Sequence, residues 1–149
     1  MPIWSTEGGW GTNSQCCSQS DQSGFVARYD LMMLNQGFAR TYWYAYPNTQ
    51  WGTLGSSDDS SLTPAGVASG TIYNWLADAT FSGCGTTDGN FWTCTLSTAS
   101  GHQAQIVWAT QWAVWYSTTG FDTVDTLDGA SSPATGWIQA GWDPMMLVS

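Results

Sequence analysis

Glu7 is the only glutamate in the chain, and it closes a short apolar segment, Ile3-Trp4-Ser5-Thr6-Glu7, that runs on into Gly8-Gly9-Trp10. A carboxylate held between tryptophans at the end of such a segment suits one chemistry in particular. Tryptophan faces stack on the C–H faces of pyranose rings, and the carboxylate attacks the anomeric carbon lying between them. The same chemistry requires a second carboxyl group to protonate the leaving oxygen. No second glutamate is present to fill that role. Asp58 and Asp59 lie in a Ser-rich loop with no apolar setting that would raise a carboxyl pKa, so neither is assigned the donor role. His102, the sole histidine, precedes a strand at a turn and reads as a surface residue.

The elements that must position Glu7 follow from periodicity. Residues 3–7 read as a buried strand, and Gly8, Gly9 and Gly11 permit a tight loop after it. Phe25, Val26, Tyr29, Met32 and Met33 fall on one helical face, with Ser20 or Asp21 as N-cap and Gly37 just past the end. The aromatic run 38–46 has strand composition, and its continuous apolarity argues for burial on both sides. Thr63-Pro64 opens a second helix as N-cap and first-turn proline, with the stripe Ala68, Ile72, Trp75, Leu76 and Ala79. From residue 80 the texture changes to about six short runs: 91–96, 103–109, 112–116, 121–127, 137–140 and 145–148. Alternation puts Ala104, Ile106 and Trp108 on one face, and likewise Trp92, Cys94 and Leu96.

Composition bounds the partners. The chain has no lysine, two arginines (Arg28 and Arg40) and a formal net charge of −9. That balance excludes a phosphate-backbone partner and disfavours anionic membrane surfaces. Hydrophobic content of 42% and eleven tryptophans argue against global disorder. A polar, uncharged, aromatic-rich surface suits neutral ligands such as oligo- or polysaccharides. Cys84 and Cys94 flank a turn-rich stretch containing Asp88-Gly89, where a disulfide is sterically natural. Cys16-Cys17 forms a strained adjacent bridge or pairs elsewhere, and the spacing leaves both open. The four cysteines and single histidine lack zinc-ligand spacing, so neither a metal nor another cofactor is expected. Cysteine use points to an extracellular parent protein, yet residues 1–4 carry no signal peptide, which implies further sequence upstream.

Two β/α units cannot close a barrel, which takes about 250 residues in the (β/α)₈ case. Here the residues resemble a known family. Trp4-Ser5-Thr6-Glu7-Gly8-Gly9-Trp10-Gly11 resembles the seventh-strand nucleophile segment of retaining (β/α)₈ glycoside hydrolases of clan A. Arg40 through Asn48 resembles their eighth strand, followed by the Trp51-Gly52-Thr53-Leu54 loop, and Leu62 through Leu76 looks like the eighth helix. Family 5- and family 39-like enzymes then carry a small C-terminal β domain, to which residues 80–149 are similar. The resemblance implies Glu7 as nucleophile. It also implies a stacking floor from Trp43 or its neighbours Tyr44 and Tyr46, with Trp10 and Trp51 lining the loops above. For Trp43 and Tyr46, core packing is an equal alternative. The acid/base of such enzymes sits on the fourth strand, often as Asn-Glu, and that dipeptide does not occur here.

The expected fold is therefore α+β: the last two β/α units of an incomplete (β/α)₈ barrel over residues 1–79, then a small antiparallel β-sandwich over residues 80–149. The expected function is that of a fragment of a secreted retaining glycosidase, inactive alone, whose natural complement is the N-terminal part of the barrel. The alternative is a non-catalytic carbohydrate-binding β module with Trp112 or Trp115 exposed.

Overall fold

A computed structural model describes residues 1–56, 58 and 60–149. Its elements run β1 (Ile3–Gly8), α1 (Gln19–Asn35), β2 (Phe38–Trp43), α2 (Pro64–Leu76), then eight strands: β3 (Thr80–Thr86), β4 (Phe91–Ser97), β5 (Gln103–Ala109), β6 (Val114–Ser117), β7 (Thr123–Asp125), β8 (Ser131–Pro133), β9 (Trp137–Ala140) and β10 (Met145–Val148). The chain folds into two compact units, Met1–Gly70 and Thr71–Ser149. None of the described helices is long and apolar enough to cross a membrane.

In the first unit β1 and β2 pair in parallel through α1, a single βαβ unit. α1 starts two or three residues before the Ser20 or Asp21 cap that the sequence indicates. Its N-cap is Ser18, whose hydroxyl accepts from the Asp21 backbone N–H at 3.2 Å while the Asp21 carboxylate accepts from the Ser18 N–H at 3.3 Å. This reciprocal capping satisfies two otherwise orphaned donors and sets the start. The helix ends as expected at Gly37, which adopts φ +83° and donates to the Leu34 carbonyl.

The apolar composition of β1 argues for burial, and the structure corrects that reading. Ile3 is 58% exposed and Trp4 50% exposed. Only one face of the β1–β2 pair is covered. On it the Ser5 hydroxyl meets the Tyr29 hydroxyl at 2.7 Å, and Thr41 Oγ1 donates to Asp30 Oδ1 at 3.0 Å. The opposite face carries Trp4, Tyr42 and Arg40, with the guanidinium 5.2 Å from the Trp4 ring centre, and is open to solvent. For the same reason β2 is not buried on both sides. Neither strand has a second neighbour among the described residues.

α2 opens as its sequence indicates, with Thr63 Oγ1 accepting from the Gly66 N–H at 3.1 Å and Pro64 in the first turn. Gly66 is buried where the helix crosses the 53–55 segment, and a Cβ there would overlap the Leu54 carbonyl oxygen. Gly→Ala inside a helix ordinarily stabilises. Here the sign reverses: Gly66→Ala is expected to lower stability by about 1–3 kcal/mol, because the obstructing atom is backbone. Urea unfolding of the two proteins checks it.

The second unit is an antiparallel sheet of order β3-β4-β5-β10-β7-β8 with a separate β6–β9 ribbon. Val107, Val124, Ala140 and Leu147 form a buried cluster, with Phe91, Tyr116, Phe121 and Ile138 packed against it. β5 is consequently buried on both faces, since Ile106 and Trp108 are as covered as Val107. On the Ile106 side Trp92 stacks on its cross-strand partner Trp108 at 5.8 Å. β3 and β8 lack a strong apolar period and go undetected in the sequence. Both disulfides form: Cys84–Cys94 across the β3–β4 hairpin and the adjacent pair Cys16–Cys17.

Candidate active site

The C-terminal ends of β1 and β2 lie side by side, and the loops leaving them are laced together. Tyr44 donates its backbone N–H to the Gly8 carbonyl, and Gly52 donates to Gly11 at 3.2 Å. Thr12 and Trp51 form an isolated antiparallel bridge. Asn13 is the fastener: its Oδ1 accepts from Trp10 Nε1 at 2.9 Å, and its Nδ2 donates to Thr53 Oγ1 and the Thr49 carbonyl. Asn48 closes the second loop by accepting from the Gln50 and Trp51 N–H groups. Neither asparagine stands out in the sequence, because an Asx turn in a polar loop has no long-range signature.

These loops frame a cleft of about 170 Å³ lined by Glu7, Gly8, Gly9, Gly11, Tyr44 and Trp51. The Tyr44 carbonyl is gripped between Gly9 and Gly52, where any Cβ would strike it, and Gly52 also has φ +49°. The glycines thus let two loops close on one peptide and hold Tyr44 beside Glu7. Glu7, Tyr44 and Trp51 are brought together, all three exposed.

Trp10 and Trp43 are placed differently. Their ring centres are 5.0 Å apart, and Trp43 also packs on Phe25 and on Tyr29 at 5.4 Å, with its Nε1 donating to the Gly52 carbonyl at 2.7 Å. They form the half-buried aromatic layer beneath the loops. Tyr46 lies against Gly55 and is not among the residues that line the cleft. The described residues contain no group of three or more His, Cys, Asp or Glu side chains placed to hold a metal ion.

Four carboxyls have shifted acidity, Asp30, Asp58, Asp88 and Asp128, and none of them lines the cleft. Hydroxyl hydrogen bonds from Ser56 and Ser60 hold exposed Asp58 down at about 2, so it stays ionised and cannot donate a proton near neutral pH. Asp59 lies outside the described residues. Burial pushes Asp30 up to about 6, opposed by the Thr41 hydrogen bond. Its native pKa lies above the ordinary 3.8, so its contribution to stability is whole below pH 3.8, falls as pH rises, and levels out above about 6. The loss is at most about 3 kcal/mol. Asp30→Asn keeps the acceptor for Thr41 and is expected to raise the urea midpoint at pH 8 while leaving it nearly unchanged at pH 4.

No family model matches the sequence, and no curated protein matches it. Among solved structures, the fold is similar to that of the glycoside hydrolase family 30 subfamily 8 xylanase from Clostridium acetobutylicum. The TM-score is 0.60 at 13% identity over 99% of this chain. The chain spans 42% of the length of that xylanase. The likeness carries the fold alone: a mixed α and β chain whose arrangement is similar to part of that xylanase.

Proposed function

We propose that this chain is the C-terminal portion of a retaining glycoside hydrolase, with residues 1–79 supplying the last two β/α units of its barrel and residues 80–149 an appended β domain. The carrying observation is the position of Glu7, next to last in a strand of a parallel pair, in a cleft shared with Tyr44 and Trp51. In parallel β/α architectures catalytic groups gather at this end of the strands. The bare face of Trp4, Arg40 and Tyr42, and the unpaired edges of β1 and β2, support a continuation of the sheet by further polypeptide.

In the reaction the Glu7 carboxylate attacks the anomeric carbon of a bound glycan. The bond to the leaving oxygen breaks as that oxygen takes a proton from an acid carboxyl. Water, deprotonated by the same group, then displaces Glu7. Tyr44 and Trp51 offer aromatic faces to the sugar, while Trp10 and Trp43 stiffen the layer beneath. The proton donor is assigned to the missing barrel strands, which makes the isolated chain inactive. A glycan and the rest of the barrel are the partners of this reading, and the parent protein is extracellular.

The test is covalent. A 2-fluoro glycoside with a dinitrophenolate leaving group needs no protonation, so it isolates the nucleophilic step. With the longer polypeptide, peptide mapping is expected to find one glycosyl adduct, on Glu7. An adduct on another residue refutes the nucleophile assignment, and brisk aryl glycoside turnover by the present chain, lost in Glu7→Gln, refutes the fragment reading.

A further inference from the structure

The β6–β9 ribbon presents an aromatic face unrelated to the Glu7 cleft. Its register sets Trp115 opposite Gln139 and Ser117 opposite Trp137, so these four side chains share one side. The other side, with Tyr116, Ile138 and Ala140, is packed against the buried cluster of the second unit. Trp115 is 65% exposed and Trp137 64% exposed, and Trp112 and Trp142 are exposed just beyond the ribbon at one end. Large rings left in water lose the burial that favours them elsewhere in this unit, where Trp108 is fully covered.

We infer that Trp115 and Trp137 form a platform that binds a neutral polysaccharide chain, with Ser117 and Gln139 as hydrogen-bonding partners for its hydroxyls. The two tryptophans are diagonal neighbours, about 7–8 Å apart, so consecutive pyranoses of one extended chain span both rings. The four residues facing outward are two aromatic and two neutral polar, without an aliphatic or charged side chain. That composition matches alternating C–H faces and hydroxyls better than it matches a protein surface, whose hot spots use arginine and packed aliphatic groups. A second copy is disfavoured because each carries a net charge of −9. Acidic polymers meet no cation on this face, whose four side chains are Trp115, Ser117, Trp137 and Gln139. The inference stands whether or not Glu7 is a nucleophile.

The experiment is native affinity electrophoresis of the whole chain through gels containing xylan, mixed-linkage β-glucan or polygalacturonate, with light scattering of the same samples. Retardation is expected in at least one neutral gel and not in polygalacturonate. Trp115→Ala and Trp137→Ala should each weaken binding about tenfold, and the double variant should abolish it. Trp115→Phe and Trp137→Phe should retain part of it. Tyr73→Ala, which removes an exposed aromatic ring outside the ribbon, should bind like the parent, so that loss on the platform is not a general effect of removing surface aromatics. Migration unaffected by any neutral glycan, retardation that survives the double variant, or a dimer that the double variant dissolves would each overturn the proposal.

Discussion

Glu7→Ala, introduced into the polypeptide that completes the barrel, is expected to lower glycoside turnover by about 10⁴-fold or more, and azide is expected to restore part of the loss. Removing a nucleophile removes the covalent intermediate, and that step has no substitute in the cleft. Tyr44 and Trp51, its aromatic lining neighbours, are not carboxylates, and Asp58 is not among the residues that line the cleft. Azide is small enough to occupy the volume vacated by the glutamate side chain. It attacks the anomeric carbon from the same side, while the leaving oxygen still receives its proton from the acid group. The product is then a glycosyl azide of inverted configuration. A variant of the proton donor would instead give azide with retained configuration, so the stereochemistry assigns the role of Glu7 and not merely its importance. A retained product from Glu7→Ala would remove it from the nucleophile position.

Asn90→Ala should cost about 3 kcal/mol in the second unit, more than a core methyl deletion. Asn90 is fully buried between two turns. Its backbone is set by Asp88, whose Oδ1 accepts from the Asn90 and Phe91 N–H groups at 2.9 and 2.8 Å. Its side chain then spans to the β5–β6 turn. Oδ1 accepts from the N–H groups of Thr110, Gln111 and Trp112 at 3.2, 2.7 and 3.2 Å, and Nδ2 donates to the Trp112 carbonyl at 3.0 Å. Alanine leaves backbone donors without their acceptor in a site shaped for it, and each such group costs about 1–3 kcal/mol where water cannot replace the partner. Asn90→Asp keeps the acceptor but loses the donor and places a charge in a buried position, so it is also expected to destabilise. Urea unfolding followed by tryptophan fluorescence reads both. A loss below about 1 kcal/mol for Asn90→Ala would show that water satisfies that turn.

Much of the local structure was legible from the chain itself. Thr63-Pro64 marks the start of α2, Gly37 the end of α1, and Cys84 and Cys94 a hairpin that their bond spans. The resemblance points to Glu7, Tyr44 and Trp51 among other residues, and these three line one cleft. Tyr46 was named with them and is not a lining residue. Asp30 shows why a half-buried polar group escapes notice. It sits on the covered side of α1 with Val26, Ala27 and Leu31, but a carboxylate counts toward the polar face in any periodicity reading. Asn90 escapes for a related reason: its partners are some twenty residues away, and nothing in its neighbourhood signals a long-range bond.

What the amino-acid order determined by itself is short-range. Caps, turn glycines and apolar periods act over three or four residues, so they survive translation into structure almost unchanged. Coverage is different, because it depends on what the rest of the fold lays against a surface. Trp4 and Trp108 both sit in apolar strand segments, yet one is half open and the other sealed. Trp108 has a cross-strand ring and a packed sheet around it, whereas Trp4 has a single neighbouring strand and an empty face. Only tertiary contacts, made between residues far apart in the chain, decided which aromatic rings became core and which were left exposed.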